Sequence, residues 1–123
     1  MKQLHKILMA GLVLIIAGSA QAQYKGPGTT SRSVTVKEVT QHASKLDRSD
    51  ALVKLQGFII QQVNGDTYWF QDATGKIRVE IEKEQLPVVA FDEKTEVILI
   101  GEVDYDFLEG TEIEVEHIEI KIP

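Results

Sequence analysis

Residues 68–81 read Tyr68-Trp69-Phe70-Gln71-Asp72-Ala73-Thr74-Gly75-Lys76-Ile77-Arg78-Val79-Glu80-Ile81. Apolar and polar side chains alternate on both sides of a central turn, which is typical of strands with one buried face. Asp72 begins the turn with a side chain that can bond the backbone, and Gly75 tolerates a positive φ. The stretch therefore predicts a β-hairpin.

The register of this hairpin follows from burial. If Gln71 faces Lys76, then Phe70 faces Ile77 and all the apolar side chains share one face. A slip of one residue would mix apolar and charged side chains, which burial opposes. The predicted core face consists of Tyr68, Phe70, Ile77, Val79 and Ile81. The predicted outer face consists of Trp69, Arg78 and Glu80.

The outward Trp69 is the main functional indication in the hairpin. An indole beside the guanidinium of Arg78 would form a stacking platform. The alternative is that Trp69 only covers the edge of its own barrel or packs on a neighbouring loop. The sequence therefore locates a candidate binding face without naming its ligand.

The first 22 residues have the pattern of an export signal. Two lysines accompany an apolar run of 11 residues at 7–17, and Ala20-Gln21-Ala22 is an A-x-A cleavage site. The apolar run is too short to span a bilayer comfortably. We predict a cleaved signal peptide at 1–22, a periplasmic mature chain from Gln23, and no membrane insertion after cleavage; an uncleaved anchor is the alternative.

Composition narrows the possible partners. Removing 22 of 123 residues leaves 101, enough for one small domain, and leaves 11 basic against 19 acidic side chains, a net charge of −8. This balance opposes binding to nucleic-acid phosphates, so no nucleic-acid partner is predicted. The absence of cysteine excludes disulfides, thiol catalysis and thiolate metal sites.

Residues 23–33, rich in Gly, Pro and Ser, predict a flexible arm before a single domain at 34–123.

A short helix is predicted after the arm. Thr35 and Glu38 fit a capping box, in which each side chain bonds a free backbone N–H. Apolar side chains then recur at helical spacing, which places a helix near Val36–Ser44. The polar run Asp47–Asp50 is predicted to be a loop.

Five strands are predicted in all. Outside the hairpin they run at about Ala51–Gln61, Glu96–Val103 and Thr111–Ile122. The connection Glu82–Lys94 contains an apolar run that we expect to plug one end of the core. The last strand changes its apolar phase, which predicts a β-bulge near Glu116-His117.

Two glycines lie inside strands, Gly57 and Gly101. Glycine weakens a strand unless a bend or close approach requires it. Five short strands with two such bends indicate a closed or nearly closed barrel.

Several spacings together resemble the bacterial OB-fold family of small exported stress-tolerance proteins, the YgiW/YdeI type. The resemblance covers nearly all of the mature chain. It rests on Tyr24-x-Gly26-Pro27, Val53-x-Leu55-x-Gly57-x-Ile59, the hairpin pattern from Tyr68 to Ile81, Gly101-Glu102-Val103-Asp104-x-Asp106 and Glu112-Ile113-x-Val115. A tryptophan usual after the third strand in the family is Leu86 here.

The resemblance implies a mostly β, five-stranded OB-fold Greek-key barrel with one short N-terminal helix. It also implies a non-enzymatic, ligand-binding periplasmic protein tied to tolerance of envelope or chemical stress. OB folds bind ligands across strands 2 and 3 and the flanking loops. The candidate ligand-binding residues are Trp69, Arg78, Glu80 and Tyr105.

The acidic loop Asp104–Gly110 raises the question of a metal. It departs from the EF-hand pattern, because Leu108 occupies a ligand position and Val115 replaces the final Glu. We predict no metal and no cofactor, with Asp104, Asp106 and Glu109 as weak cation candidates. A solvated turn is the simpler interpretation.

A row of glutamates on the last strand, Glu112, Glu114 and Glu116, is expected beside Glu80 and Glu82. Like charges placed opposite each other are destabilising, so Lys76, Arg78 or Lys121 should interleave.

Catalysis is not predicted, because no carboxylate pair, Ser/His/Asp spacing or Gly-rich phosphate loop is singled out. The leading hypothesis is a binding protein for a small molecule or envelope glycan. The alternatives are an adaptor for another envelope protein and a weak cation-binding protein.

Overall fold

The computed structural model describes residues 31–122, so the predicted signal peptide and most of the predicted arm lie outside the described part. The described chain forms six strands, two short α-helices and one 3-10 helix at Lys83–Gln85. The strands are β1 (Arg32–Ser33), β2 (Leu52–Gln62), β3 (Thr67–Asp72), β4 (Gly75–Glu80), β5 (Glu96–Asp106) and β6 (Gly110–Ile120), and the helices are α1 (Val36–Gln41) and α2 (Ala43–Ser49).

Five of the strands close a barrel. The order is β2-β3-β4-β6-β5, and β5 pairs back onto β2. Strands β4 and β6 are parallel, whereas the other neighbours in the barrel are antiparallel. This confirms the predicted five-stranded OB-fold barrel. Arg32 and Ser33, assigned to the arm from sequence, form β1 and pair with β2, so regular structure begins before Val34.

The predicted hairpin register is confirmed. Gln71 pairs with Lys76, Phe70 with Ile77 and Trp69 with Arg78. The core face of the hairpin is buried at Phe70, Ile77, Val79 and Ile81, while Tyr68 is half-buried and packs against this core. Trp69 therefore belongs to the outer face of the barrel.

The longer strands differ from prediction mainly at their ends. Strand β5 continues to Asp106, into the segment predicted to be an acidic loop. Between β5 and β6, Ile100 pairs with His117 and Gly101 with Val115, which leaves Glu116 of β6 as the extra residue of a bulge. The predicted bulge is thus confirmed.

The helical segment is longer than predicted and broken. The Thr35–Glu38 capping box is present at the start of α1. The backbone departs from helical geometry at His42 (φ −120°, ψ 24°) and then continues as α2 through Ser49, where a loop was predicted. The single predicted helix is therefore wrong. The break lets both helices bury apolar side chains, which are Val36, Val39, Ala43 and Leu46.

The turn of the hairpin holds α1 in place. Asp72 Oδ2 accepts a hydrogen bond from the Val36 N–H at 2.9 Å, and Thr74 Oγ1 accepts one from the Lys37 N–H at 3.0 Å. Partial burial raises the pKa of Asp72, but hydrogen bonds from Thr74 and Val36 outweigh it and hold the pKa below its usual range. The helix is thereby fixed against the hairpin that carries Trp69.

The connection between β4 and β5 covers the core only in part. Leu86 and Phe91 pack against it, whereas Val88 and Val89 are exposed. The predicted plug is therefore limited to the ends of this apolar run. None of the helices in residues 31–122 has both the length and the apolar character needed to cross a bilayer.

Candidate functional site

Trp69 and Arg78 line one cleft on the outer face of the barrel. The cleft has a volume of about 410 Å³ and lies between the β3–β4 hairpin and the β5–β6 turn. Its lining residues are Thr40, Trp69, Lys76, Ile77, Arg78, Glu109, Gly110 and Thr111. We call this depression the Trp69 cleft.

The indole of Trp69 is partly covered by a cation. Lys76 Nζ lies 4.8 Å from the centroid of the ring, within the range of a cation–π interaction. Lys76 shares the outer face with Arg78, because side chains two residues apart on a strand point the same way. Lys76 was not predicted as a site residue, although the same alternation places it on this face.

Arg78 lies beside Trp69 across the hairpin, and its guanidinium is held by the neighbouring turn. Its Nη2 donates a hydrogen bond to the Glu109 carbonyl oxygen at 2.6 Å. This bond ties β4 to the β5–β6 turn and forms one wall of the cleft. Gly110, the next residue, has a φ of 95° and no side chain, so the floor beside Arg78 stays open.

The fold brings together only part of the predicted site. Glu80 shares a face with Arg78 but pairs with Thr67 and Glu114, outside the Trp69 cleft. Tyr105 lies on β5, where its N–H donates to Asp47 Oδ2 at 2.7 Å, and its side chain does not line the cleft. Thr40, contributed by α1, was not predicted, because only the folded helix brings it to the hairpin.

The profile of the bacterial OB fold (BOF) protein family matches residues 16–120. The chain belongs to the BOF family. This confirms the resemblance inferred from the hairpin and strand spacings.

Individual relatives agree with the BOF assignment. The calcium-regulated OB-fold protein CarO of Pseudomonas aeruginosa is 42% identical over 120 residues, which cover 98% of each chain. The protein YgiW of Escherichia coli is 30% identical over 109 residues, covering 84% of this chain and 83% of YgiW.

Solved structures support the same fold. The E. coli YgiW structure superposes with a TM-score of 0.63 and 34% identity, covering 82% of this chain and 100% of the chain in that structure. The Stn1–Ten1 complex of Schizosaccharomyces pombe matches with a TM-score of 0.58 and 13% identity, over 79% of this chain and 81% of that one. The second likeness shows the fold alone.

An acidic face adjoins the cleft of this BOF protein. Across β4, β6 and β5, Arg78 lies beside Glu112 and then Asp104, and in the next row Glu80 lies beside Glu114 and then Glu102. Burial and Glu80 raise the pKa of Glu112, and Arg78 opposes them. Burial, Asp104 and Glu80 raise the pKa of Glu114. The predicted proximity of these strands is confirmed, with Arg78 as the interleaved cation, whereas Lys121 pairs with Glu96 at 3.8 Å.

The raised pKa of Glu114 predicts that Glu114→Gln increases the free energy of unfolding in a pH-dependent way. As pH rises above 4.5, the usual pKa of Glu, the Glu114 carboxyl stays protonated to a higher pH in the folded state than in the unfolded state. The free energy of unfolding therefore falls as pH rises through this range. At pH 7 the charged carboxylate carries the full repulsion. Glu114→Gln should raise the free energy of unfolding by about 0.3–0.5 kcal/mol after solvent screening.

The gain should vanish near pH 3.5, where the carboxyl is neutral in both states. Urea unfolding at both pH values measures it, with Glu84→Gln as the control because Glu84 is exposed in the β4–β5 connection and is not among the charges that raise the pKa of Glu114. An equal gain at both pH values would rule out repulsion as the cause.

The weak cation candidates do not converge. Asp106 Oδ1 accepts hydrogen bonds from the Leu108 and Glu109 N–H groups at 2.7 and 2.9 Å, so this carboxylate closes the turn. Within residues 31–122, no three His, Cys, Asp or Glu side chains are placed to hold a metal ion. The geometry favours the solvated-turn interpretation of this loop.

Proposed function

We propose that this BOF protein is an exported, non-enzymatic binding protein of the periplasm. It takes a small molecule or envelope glycan in the Trp69 cleft and contributes to tolerance of envelope or chemical stress. The observation that carries the proposal is the convergence of Trp69, Lys76 and Arg78 on one cleft of about 410 Å³. The cleft lies on the OB strands, and beside the turn, that other OB folds use for ligands.

The chemistry of the cleft favours a ring that carries an acidic group. The part of the Trp69 face that Lys76 leaves uncovered offers a stacking surface, and Lys76 places a cation beside it. A carboxylate on the ligand would meet Lys76 and the free donors of Arg78. Export is supported by the sequence of residues 1–22, and a net negative charge opposes nucleic acid as the ligand.

Trp69→Ala is the direct test of this function. Trp69 is the single tryptophan of the chain, so its emission should change when N-acetylglucosamine oligomers or uronic acids are titrated into the wild-type protein. By calorimetry, Trp69→Ala should weaken the binding of the responding sugar about tenfold, the loss expected for one stacked ring. The cleft would be excluded as the sugar site if no sugar changed the emission and if Trp69→Ala bound every sugar with wild-type affinity.

Charge variants refine the same test. Lys76→Gln should weaken the binding of an acidic sugar more than that of a neutral one, because it removes a cation and leaves the indole of Trp69 in place. Lys94→Gln is the matched control, because Lys94 is exposed and does not line the cleft. Equal effects of the two variants would show that Lys76 acts only through the overall charge.

A second candidate function is an adaptor for another envelope protein. Phe107 and Leu108 are 84% and 86% exposed at the tip of the β5–β6 turn, which Asp106 closes by accepting two backbone hydrogen bonds. Large apolar side chains exposed together favour a protein partner. Crosslinking in periplasm should then give a stoichiometric partner that the double variant Phe107→Ala/Leu108→Ala loses and Trp69→Ala retains.

A further inference from the structure

A second groove of the barrel shares no lining residue with the Trp69 cleft. It consists of two depressions of about 320 and 410 Å³ that meet at Ile60 and Glu93. One runs along the end of β2 beneath the β4–β5 connection, and the other continues toward Asp72 and Ala73 of the hairpin turn. We call them together the β2 groove.

The floor of the β2 groove is apolar. Five large side chains are only half-buried there, which are Phe58, Ile60, Tyr68, Leu86 and Phe91. Phe58 and Ile60 alternate with the buried residues of β2, so they point away from the core. Leu86 and Phe91 pack against the core from the connection and leave one side open. The combination of size and apolar lining is that of a small-molecule site.

The rim of the groove is acidic. Asp72, Asp92 and Glu93 contribute carboxylates, and among the described residues no lysine or arginine lines either depression. Asp72 and Asp92 already accept backbone hydrogen bonds. Glu93 is exposed and makes no hydrogen bond or ion pair within residues 31–122. Its carboxylate is therefore available to a ligand at the junction of the two depressions.

We propose that the β2 groove is a binding site for small cationic amphiphiles. The apolar body of the ligand lies on Ile60, Leu86 and Phe91, and its ammonium or guanidinium group pairs with Glu93. Charge complementarity sets the sign of the head group, since an anionic head would face only carboxylates. The size of the depressions favours a small molecule over a protein surface. This site is independent of the function proposed for the Trp69 cleft.

The test uses three probes that contain an eight-carbon chain, counting the carboxyl carbon of octanoate: octylammonium, octanoate and octyl glucoside. Amide chemical shifts of the isotope-labelled protein locate binding, and calorimetry gives the affinity. Octylammonium should shift residues of β2 and of the connection at 86–93, and should bind about fivefold more tightly than octanoate. Shifts confined to the Trp69 cleft, or equal affinity for all three head groups, would overturn the proposal.

Two variants separate the head-group contact from the apolar floor. Glu93→Lys should reverse the preference, so that octanoate binds more tightly than octylammonium. Glu84→Lys is the matched control, because Glu84 lies in the same connection but outside the groove. This control should keep the wild-type order of affinities. Phe91→Ala should weaken all three probes. Trp69→Ala should leave the affinity for octylammonium unchanged, which distinguishes this site from the Trp69 cleft. An unchanged order in Glu93→Lys would also overturn the proposal.

Discussion

Gly57→Ala should lower the free energy of unfolding by about 3 kcal/mol or more, because a methyl group at this position has no space. A Cβ built on Gly57 would overlap the backbone carbonyl oxygen of Gln71 and come within 2.8 Å of Phe70 Cζ. The carbonyl belongs to the neighbouring strand of the barrel, so relief requires moving β3 away from β2. The cost therefore falls on the closure of the barrel.

Urea unfolding followed by circular dichroism measures this loss. Gly65→Ala is the matched control, since a Cβ at Gly65 meets no atom within 4 Å, and its stability should stay within about 0.5 kcal/mol of wild type. Gly101→Ala should resemble Gly57→Ala, because its Cβ would overlap the Glu114 carbonyl oxygen. Similar stabilities for Gly57→Ala and Gly65→Ala would contradict the assigned role of the in-strand glycine.

The parts of the fold that followed from the sequence are those encoded by local alternation. Phe70 and Ile77 had to share a face, and a turn of fixed length then set every pair of the hairpin. The bulge at Glu116 was visible because the apolar phase changes within one strand. In both cases neighbouring residues carry all the information that the structure uses.

The helix break at His42 was not predictable in the same way. Val36, Val39, Ala43 and Leu46 keep a helical period across it, and His42 is not a helix breaker by propensity. The break follows from packing two short helices onto the barrel. Tertiary contacts therefore override a continuous local pattern here.

The Trp69 cleft was likewise predictable only in part. The outward direction of Trp69 and Arg78 followed from alternation, but the partner of Arg78 did not. Arg78 bonds Glu109 because β4 lies parallel to β6, which brings a turn about 30 residues away in sequence beside the hairpin. Lys76, instead of Arg78, is the cation that lies over the indole of Trp69. A single hairpin thus predicts which side chains face outward, while the closed barrel decides which of them meet.

Phe70→Ala should lower the free energy of unfolding by about 3–5 kcal/mol, the range for removing a fully buried aromatic ring. Phe70 is 0% exposed and lies on the strand that presents Trp69 to solvent. Domains of this size are stable by only about 5–15 kcal/mol, so a large share of their stability is at stake. Phe107→Ala, the same change at a side chain 84% exposed, is the control and should be nearly neutral.

Combining the two changes tests whether Gly57 and Phe70 form one packing unit. The Phe70 ring fills the space beside Gly57, so Phe70→Ala removes one of the two obstacles to a Cβ there and leaves the Gln71 carbonyl. Gly57→Ala should therefore cost about 0.5–1 kcal/mol less in the Phe70→Ala background than in wild type. Equal costs in both backgrounds would show that the Gln71 backbone alone excludes a side chain at position 57. Because the single variants are strongly destabilised, the cycle is best measured in a stabilising osmolyte, which strengthens burial without changing the contacts compared.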